Sequence, residues 1–331
     1  MQARSESTAT DGPACFDAGS TLRHIQDEIV KAINRLGRRG AVVAVSGGVD
    51  SGVVAALCVR ALGPERVMLL RMPERDVGDA SSDLGLELAR SLGAQTVEEP
   101  ITEALDALGC YRRRDEAIRE VFPDYEPAWR HKLTRSAPTG GMIVFSLVVE
   151  RPDGEQERRR MPPGPYLALL AATNMKQRVR KLLEYSWADR LGYAVAGTPN
   201  LVEHDQGFFV KGGDGLADLK PIAGLYKQQV FAMARELGLP DEIAGRQPTT
   251  ETFSLPQTQE EFYFAHPHER MDLLLWGANH GVPPDQLAAR PDLDLDRDGV
   301  AAAYWEIERR REATAYLHAP AIALDAEGSS G

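Results

Sequence analysis

Six residues, Ser46-Gly-Gly-Val-Asp-Ser51, put two hydroxyls, two glycines and one carboxylate into a single turn between an apolar run and a helical segment. Glycines let a backbone come close to an anion, the hydroxyls of Ser46 and Ser51 add donors, and the following helix offers free N–H groups at its positive end. Ser46, Gly47, Gly48 and Ser51 therefore read as a cradle for a pyrophosphate. An acid at Asp50 beside phosphates calls for a divalent cation between them, with Mg²⁺ the natural choice for oxygen donors. A small-residue turn without a ligand is the plain alternative, and it leaves the acid unexplained. The loop has neither the GxxxxGK[ST] of Walker-type NTPases nor the GxGxxG of nicotinamide dehydrogenases. Two other candidates fail. Asp294, Asp296 and Asp298 imitate the start of a calcium loop, but its twelfth position is Trp305, and the seven histidines form no zinc-ligating pair.

The elements that must position this turn can be read around it. Leu22, Ile25, Ile29, Ile33 and Leu36 recur at helical spacing before the stop at Gly37. Ala41-Val-Val-Ala-Val45 is an unbroken apolar run, as in a strand buried on both faces. A helix over 52–62, a strand over 67–71 and a helix around 81–92 follow. This alternation predicts an α/β fold, a doubly wound parallel sheet with helices on both faces. Residues 123–165 break the rhythm: the runs at 142–149 and 155–160 around the turn 152–154 predict a hairpin insertion with one exposed edge, after a loop rich in Pro, Trp and Arg. Arg158, Arg159 and Arg160 either contact phosphates or form a charged edge strand that blocks aggregation, and the second reading is favoured. A long helix over 166–191, a strand over 193–197 and a helical C-terminal part over 250–324 complete a single domain spanning 20–324. Residues 1–19 and 325–331 read as tails.

The chain has 331 residues, with 38 Lys plus Arg against 49 Asp plus Glu and a formal charge of −11. Such an acidic balance disfavours broad nucleic-acid binding. No apolar stretch approaches the roughly 20 residues of a membrane span, and no signal pattern opens the chain, so a cytoplasmic protein is expected. Cys15, Cys58 and Cys110 are unclustered and read as reduced, idle thiols.

The Ser46–Ser51 loop resembles that of the ATP pyrophosphatase (PP-loop) superfamily. The resemblance implies attack of a substrate oxygen on the α phosphorus of ATP, an adenine nucleotide alpha hydrolase-like fold, and a place for Arg71 beside the adenosine. A sheet-edge salt bridge is the alternative for Arg71. Within that superfamily, Asn174-Met-Lys-Gln-Arg-Val-Arg180, Gly197-Thr-Pro-Asn-Leu-Val-Glu203, the segment 207–215 and Asp218-Leu-Lys-Pro-Ile-Ala-Gly-Leu-Tyr-Lys227 follow the order and approximate spacing of the NAD synthetase family over about residues 20–250. On the long helix, Asn174, Arg178 and Tyr185 lie within about 40° of one another, away from Val179, Leu182 and Leu183. The resemblance implies that these three contact the dinucleotide at a homodimer interface; a solvated face is the bland alternative. It further implies that Glu203 joins Asp50 on Mg²⁺, that Phe208 stacks on a pyridine ring, that Lys211 and Asp214 line the acyl-acceptor side, and that Lys227 and Thr249 hold nucleotide phosphates. Thr198 follows a short strand at the sheet edge where such folds bind ligands.

The implied chemistry is that of an ammonia-dependent ligase. The carboxylate of deamido-NAD is adenylated by ATP, and ammonia, free or delivered by another protein, displaces AMP. The alternative is a related amide ligase acting on a different carboxylate. A tRNA-modifying enzyme is opposed by the acidic balance and the missing CxxC pair. Three segments depart from the family: the insertion at 123–165, the aromatic run Phe262-Tyr-Phe264 where the family has an acid and a glycine, and Tyr316-Leu-His-Ala-Pro320. The aromatic run predicts a more apolar, more crowded acyl pocket, with the hairpin's basic run as the place for compensating contacts.

Overall fold

The computed structural model describes residues 12–76, 79–135, 144–246, 252–264 and 266–324. Helix α1 (Ala18–Arg35) starts where Asp17 accepts a hydrogen bond from Ser20 N at 3.1 Å, and it buries Leu22, Ile25, Ile29 and Ile33. The chain before it is anchored too, since Gln229 Nε2 donates to the carbonyl of Pro13 at 3.0 Å. Strand–helix units follow: β1 (Ala41–Ala44) and α2 (Val49–Leu62), β2 (Val67–Arg71) and α3 (Asp79–Leu92), then β3 (Gln95–Glu98) with α4 (Thr102–Ala107) and α5 (Cys110–Arg119). Next come β4 (Arg130–Arg135), β5 (Phe145–Glu150) and β6 (Gln156–Arg160), the long α6 (Pro163–Leu191), β7 (Ala194–Ala196) and α7 (Leu201–Asp205). The C-terminal part holds α8 (Lys227–Glu236), α9 (Asp241–Ala244), α10 (His268–His280), α11 (Pro284–Ala288) and α12 (Arg297–His318).

The main sheet is parallel, in the order β3-β2-β1-β7. Ala41 and Val43 pack with α1, α2 and α8 on one face, while Val42 packs with residues of α4, α5 and α6 on the other. Both faces of β1 are thus covered, which is why its sequence is apolar throughout rather than alternating. From β1 the chain winds outward to β2 and β3, then returns through α6 to β7 on the opposite side. A crevice opens at the carboxyl ends of β1 and β7, where the winding reverses. Among the described residues no helix is long and apolar enough to cross a membrane.

The insertion is larger than a hairpin. β5 and β6 pair antiparallel as the sequence predicts, but β4 adds a third strand in the stretch read as a loop. Its alternation is invisible in the sequence because polar His131 and Arg135 take buried positions beside Leu133. Both are held by polar partners: the buried His131 ring lies 3.2 Å from the Tyr125 and Ser254 hydroxyls, and Arg135 Nη2 donates to Glu306 at 2.7 Å. β6 is the exposed edge, and Arg158, Arg159 and Arg160 lie along it in solvent, as the charged-edge reading expects.

A buried network of charges fastens the end of β2 to α6. Lys176 Nζ donates to Glu74 Oε1 at 2.8 Å, to Asp76 Oδ2 at 2.6 Å and to the carbonyl of Thr252 at 3.1 Å. Arg114 reaches the same Asp76 oxygen at 2.7 Å and also pairs with Asp115, while the Tyr111 hydroxyl donates to Glu74 at 2.9 Å. The segment after β2 and the start of the loop at 252–264 are thereby held by one ammonium.

Candidate active site

At the crevice lies a cavity of about 450 Å³. Its floor is the turn after β1. Val45 N still donates to Leu70 O at 3.0 Å, then Gly47 takes φ +86°, a conformation that disfavours any side chain, and α2 begins without a side-chain cap. The first-turn N–H groups of α2 are therefore available to an anion. Ser51 Oγ shapes the turn, accepting from Ser46 N at 3.3 Å and donating to Gly48 O at 3.0 Å. Arg246 Nη1 holds the carbonyl of Gly47 at 3.1 Å.

Two carboxylates from opposite sides of the switch point meet above this floor. Asp50 comes from the first turn of α2, and Glu203 from α7, whose N-cap Asn200 explains its position. Asn200 Oδ1 accepts from Glu203 N at 3.1 Å, its own N–H donates back to Glu203 Oε2 at 3.2 Å, and its Nδ2 donates to Asp50 Oδ1 at 3.1 Å. Gln259 Nε2 holds the other Glu203 oxygen at 2.7 Å. Lys227 Nζ bonds Asp50 Oδ2. Burial first, and then the charge of Asp50, push the Glu203 carboxyl up to about 7, against the pull of Lys227. Burial also works against the Lys227 ammonium, but Asp50 and Glu203 outweigh it and raise its pKa. Lys227 opens α8, and Asp272 of α10, fully buried, receives the N–H groups of Lys227 at 3.1 Å and Gln228 at 2.7 Å. A cation is thus fixed where two acids and the Ser46–Ser51 turn converge.

The remaining walls are a helix and a set of rings. Phe208 lies 4.6 Å from Tyr263 and 6.0 Å from Phe262, and Phe145 of β5 stacks on Tyr166 at 4.5 Å, all five facing the cavity. Two rings of the aromatic run therefore crowd the pocket as predicted, while Phe264 belongs to the neighbouring helical core. The basic run of β6 takes no part in the lining, and the insertion reaches the cavity through Phe145 instead.

The geometry gathers most of the residues singled out in the sequence. Ser46, Gly48, Asp50 and Ser51 line the floor, with Thr198, Glu203 and Lys227 beside them. Asn174, Phe208 and Asp214 line the walls. Arg71 does so too while pairing with Glu98 at 2.7 Å, so the salt bridge of its alternative reading is present and the residue still borders the cavity. Three residues are not brought in. Arg178 is exposed and donates to Lys211 O at 3.3 Å, Tyr185 donates to Asp218 at 3.2 Å, and Lys211 spends its ammonium on the carbonyls of Tyr316 and Ala319 at 2.6 and 2.9 Å. Thr249 lies outside the described residues. The face of α6 turned to the cavity carries Thr173, Gln177, Lys181 and Glu184 beside Asn174, so the stripe drawn from the sequence is rotated toward solvent. Leu182 is likewise exposed. Gln259 and Asp272 also escaped the sequence reading, and neither carries a local signal. Asn200 did carry one, the Asn-x-x-Glu spacing of a capping box.

Comparison with known proteins gives a consistent result. The sequence model of the family described as NAD synthase matches residues 21–121 and 156–303, passing over 122–155. The NH(3)-dependent NAD(+) synthetase of Rhizobium meliloti (strain 1021) is 51% identical over 288 residues, 86% of each chain. That of Mesorhizobium japonicum is 49% identical over 307 residues, 92% of this chain and 96% of its own. The solved NH3-dependent NAD synthetase from Campylobacter jejuni shares the fold at a TM-score of 0.62 and 20% identity, over 94% of this chain and all of that one.

Proposed function

The chain belongs to the NAD synthase family, and on that premise we propose that it is a C–N bond-forming ligase that makes NAD⁺ from deamido-NAD, ATP and ammonia. The pyridine carboxylate attacks the α phosphorus, pyrophosphate leaves, and ammonia then attacks the acyl carbon, releasing AMP and a proton. The observation that carries this reading is the convergence of Asp50, Glu203 and Lys227 over the Ser46–Ser51 turn in the cavity that Phe208 and its neighbouring rings enclose. The turn's N–H groups and the hydroxyls of Ser46 and Ser51 take the departing phosphates. Lys227 neutralises charge there without moving, because Asp272 fixes its helix. The acyl substrate lies against Phe208, Asn174 and Asp214.

Mg²⁺ fits the donor set. Two carboxylates beside a phosphate cradle are a hard, oxygen-only pair, and the described residues offer no cluster of three or more acids, histidines or cysteines that would demand another metal. Asp50 and Glu203 would hold it, and its chemistry would be neutralisation of phosphate charge. Gln259 and Asn200 orient Glu203 toward that task. Gln259→Leu should raise the Mg²⁺ concentration for half-maximal pyrophosphate release by about tenfold. A magnesium titration checks this, and an unchanged midpoint would remove Gln259 from the metal site.

A homodimer through α6 is supported by Leu167 and Leu182, 62% and 68% exposed on that helix, which also carries the outward-facing Arg178. The site for this chemistry is the cytoplasm, with ammonia taken free or from a separate protein, and without a role for nucleic acid or membrane. The test is incubation of the purified chain with deamido-NAD, Mg-ATP and ammonium. NAD⁺, AMP and pyrophosphate are expected in equal amounts, and ADP in place of AMP would overturn the reading.

A further inference from the structure

The acyl side of the cavity holds a cation that neither the sequence reading nor the family match points to. Lys181 and Glu184 line the cavity although each is only 4% exposed, and Lys181 Nζ donates to Glu184 Oε2 at 2.6 Å. Asp214 is near enough to act on Glu184, and Lys181 near enough to act on Asp214 and on Lys220. Arg180 lines the same wall. In the wall two cations, Lys181 and Arg180, thus face two acids, Glu184 and Asp214, and Lys220 adds its charge from outside the lining. Asp214 already receives Val210 N at 2.7 Å, and the Lys211 ammonium is spent on the end of α12. A buried ion pair is a poor stabilising device, since apolar replacements are often neutral or better. One set in a cavity wall beside a second cation has a use once an anion arrives.

We propose that Lys181 binds an oxyanion of the acyl substrate, with Glu184 as the positioning residue that holds its ammonium in the cavity wall. The inference rests on the reading of the chain as an NAD⁺ synthase. Two oxyanions of deamido-NAD would suit an ammonium, the pyridine carboxylate and the pyrophosphate, and the product NAD⁺ separates them because it keeps only the second.

The experiment measures Kd by calorimetry, in the presence of a non-hydrolysable ATP analogue, for Lys181→Met and for Lys181→Met combined with Glu184→Gln. The double variant removes both members of the Lys181–Glu184 pair, and thermal unfolding confirms that it is folded. Loss of a charged hydrogen bond to the ligand should weaken deamido-NAD by about tenfold or more in both variants, while the Kd of the ATP analogue stays within about twofold. Equal weakening of NAD⁺ assigns Lys181 to the pyrophosphate, and unchanged NAD⁺ binding assigns it to the carboxylate. A folded double variant that binds deamido-NAD as tightly as the parent overturns the proposal. Failure of the parent chain itself to bind or convert deamido-NAD overturns the proposed function and this inference with it.

Discussion

Asp50→Asn and Glu203→Gln are each expected to cut pyrophosphate release by roughly 100- to 1,000-fold and to leave the protein folded. On the proposed reading, each change removes one of the two carboxylates that would hold Mg²⁺ where phosphate charge develops, while keeping the size of the side chain. The fold should survive although Asp50→Asn takes one of two acids from the buried Lys227 ammonium, because Glu203 still faces that cation, and the Glu203 charge itself does little for stability. The amide oxygen introduced by Asp50→Asn would still accept from Asn200 or Lys227, and the one introduced by Glu203→Gln would keep the reciprocal contact with the Asn200 N–H. The sign of the Glu203 shift supports this. A carboxyl pushed up to about 7 favours folding fully below its ordinary range near 4.5 and loses that contribution as pH rises through 7. Above neutrality the Glu203→Gln protein should therefore be no less stable than the parent. Pyrophosphate release against Mg²⁺ concentration, with thermal unfolding alongside, checks both halves. Near-normal release from both variants at low Mg²⁺ would sink the metal assignment.

Lys176→Met is expected to cost about 3–5 kcal/mol of stability, the range for removing one partner from a buried ion pair. Lys176 is 2% exposed and Glu74 is 4% exposed, so water cannot replace the ammonium. Arg114 and the Tyr111 hydroxyl remain, but the Thr252 carbonyl and Glu74 Oε1 each lose the donor Lys176 supplied. The deficit should also depend on pH in a defined direction. Burial alone would raise the Asp76 carboxyl, yet Lys176 and then Arg114 bring it down to about 2, below its ordinary 3.8. Its contribution is thus present above pH 4 and lost as pH falls toward 2. Urea unfolding at pH 7 and at pH 3 should show the gap between parent and variant narrowing in acid. Lys176→Arg should recover part of the loss. A deficit below about 1 kcal/mol at pH 7 would mean that these charges are solvated and do not fasten the loop.

What could be read from the sequence follows from how local each signal is. The Ser46–Ser51 turn was legible because glycine, hydroxyl and acid stand within six residues, and β1 because burial on both faces leaves an unbroken apolar run. The long helix was legible as a helix, but the face that it turns to the cavity was not. Arg178 and Lys181 are both basic residues beside polar neighbours, and only the packing of Val179 and Leu183 against the sheet decides which one turns inward. β4 was hidden because His131 and the terminal nitrogens of Arg135 find polar partners inside the fold, so the period of two does not show as hydrophobicity. Gln259 and Asp272 meet Glu203 and α8 across long stretches of chain, and no spacing rule reaches that far.

The inserted sheet supports the site at its inner edge and meets solvent at its outer one. At the inner edge Leu255 N donates to His131 O at 3.0 Å, His131 N to Ser254 Oγ at 2.9 Å, and Gln257 Nε2 to Leu133 O, while Lys132 pairs with Glu261 at 2.8 Å. The loop that brings Gln259 to Glu203 is in effect a fourth ribbon fastened along β4. A protein engineer would therefore find two very different seams in one small unit. The exposed turn at 152–154 can accept a peptide tag or a dye with little consequence, because nothing of the active centre leans on it. Trimming β4, however conservative it looks in an alignment, would loosen the hold of Gln259 on Glu203 from a distance.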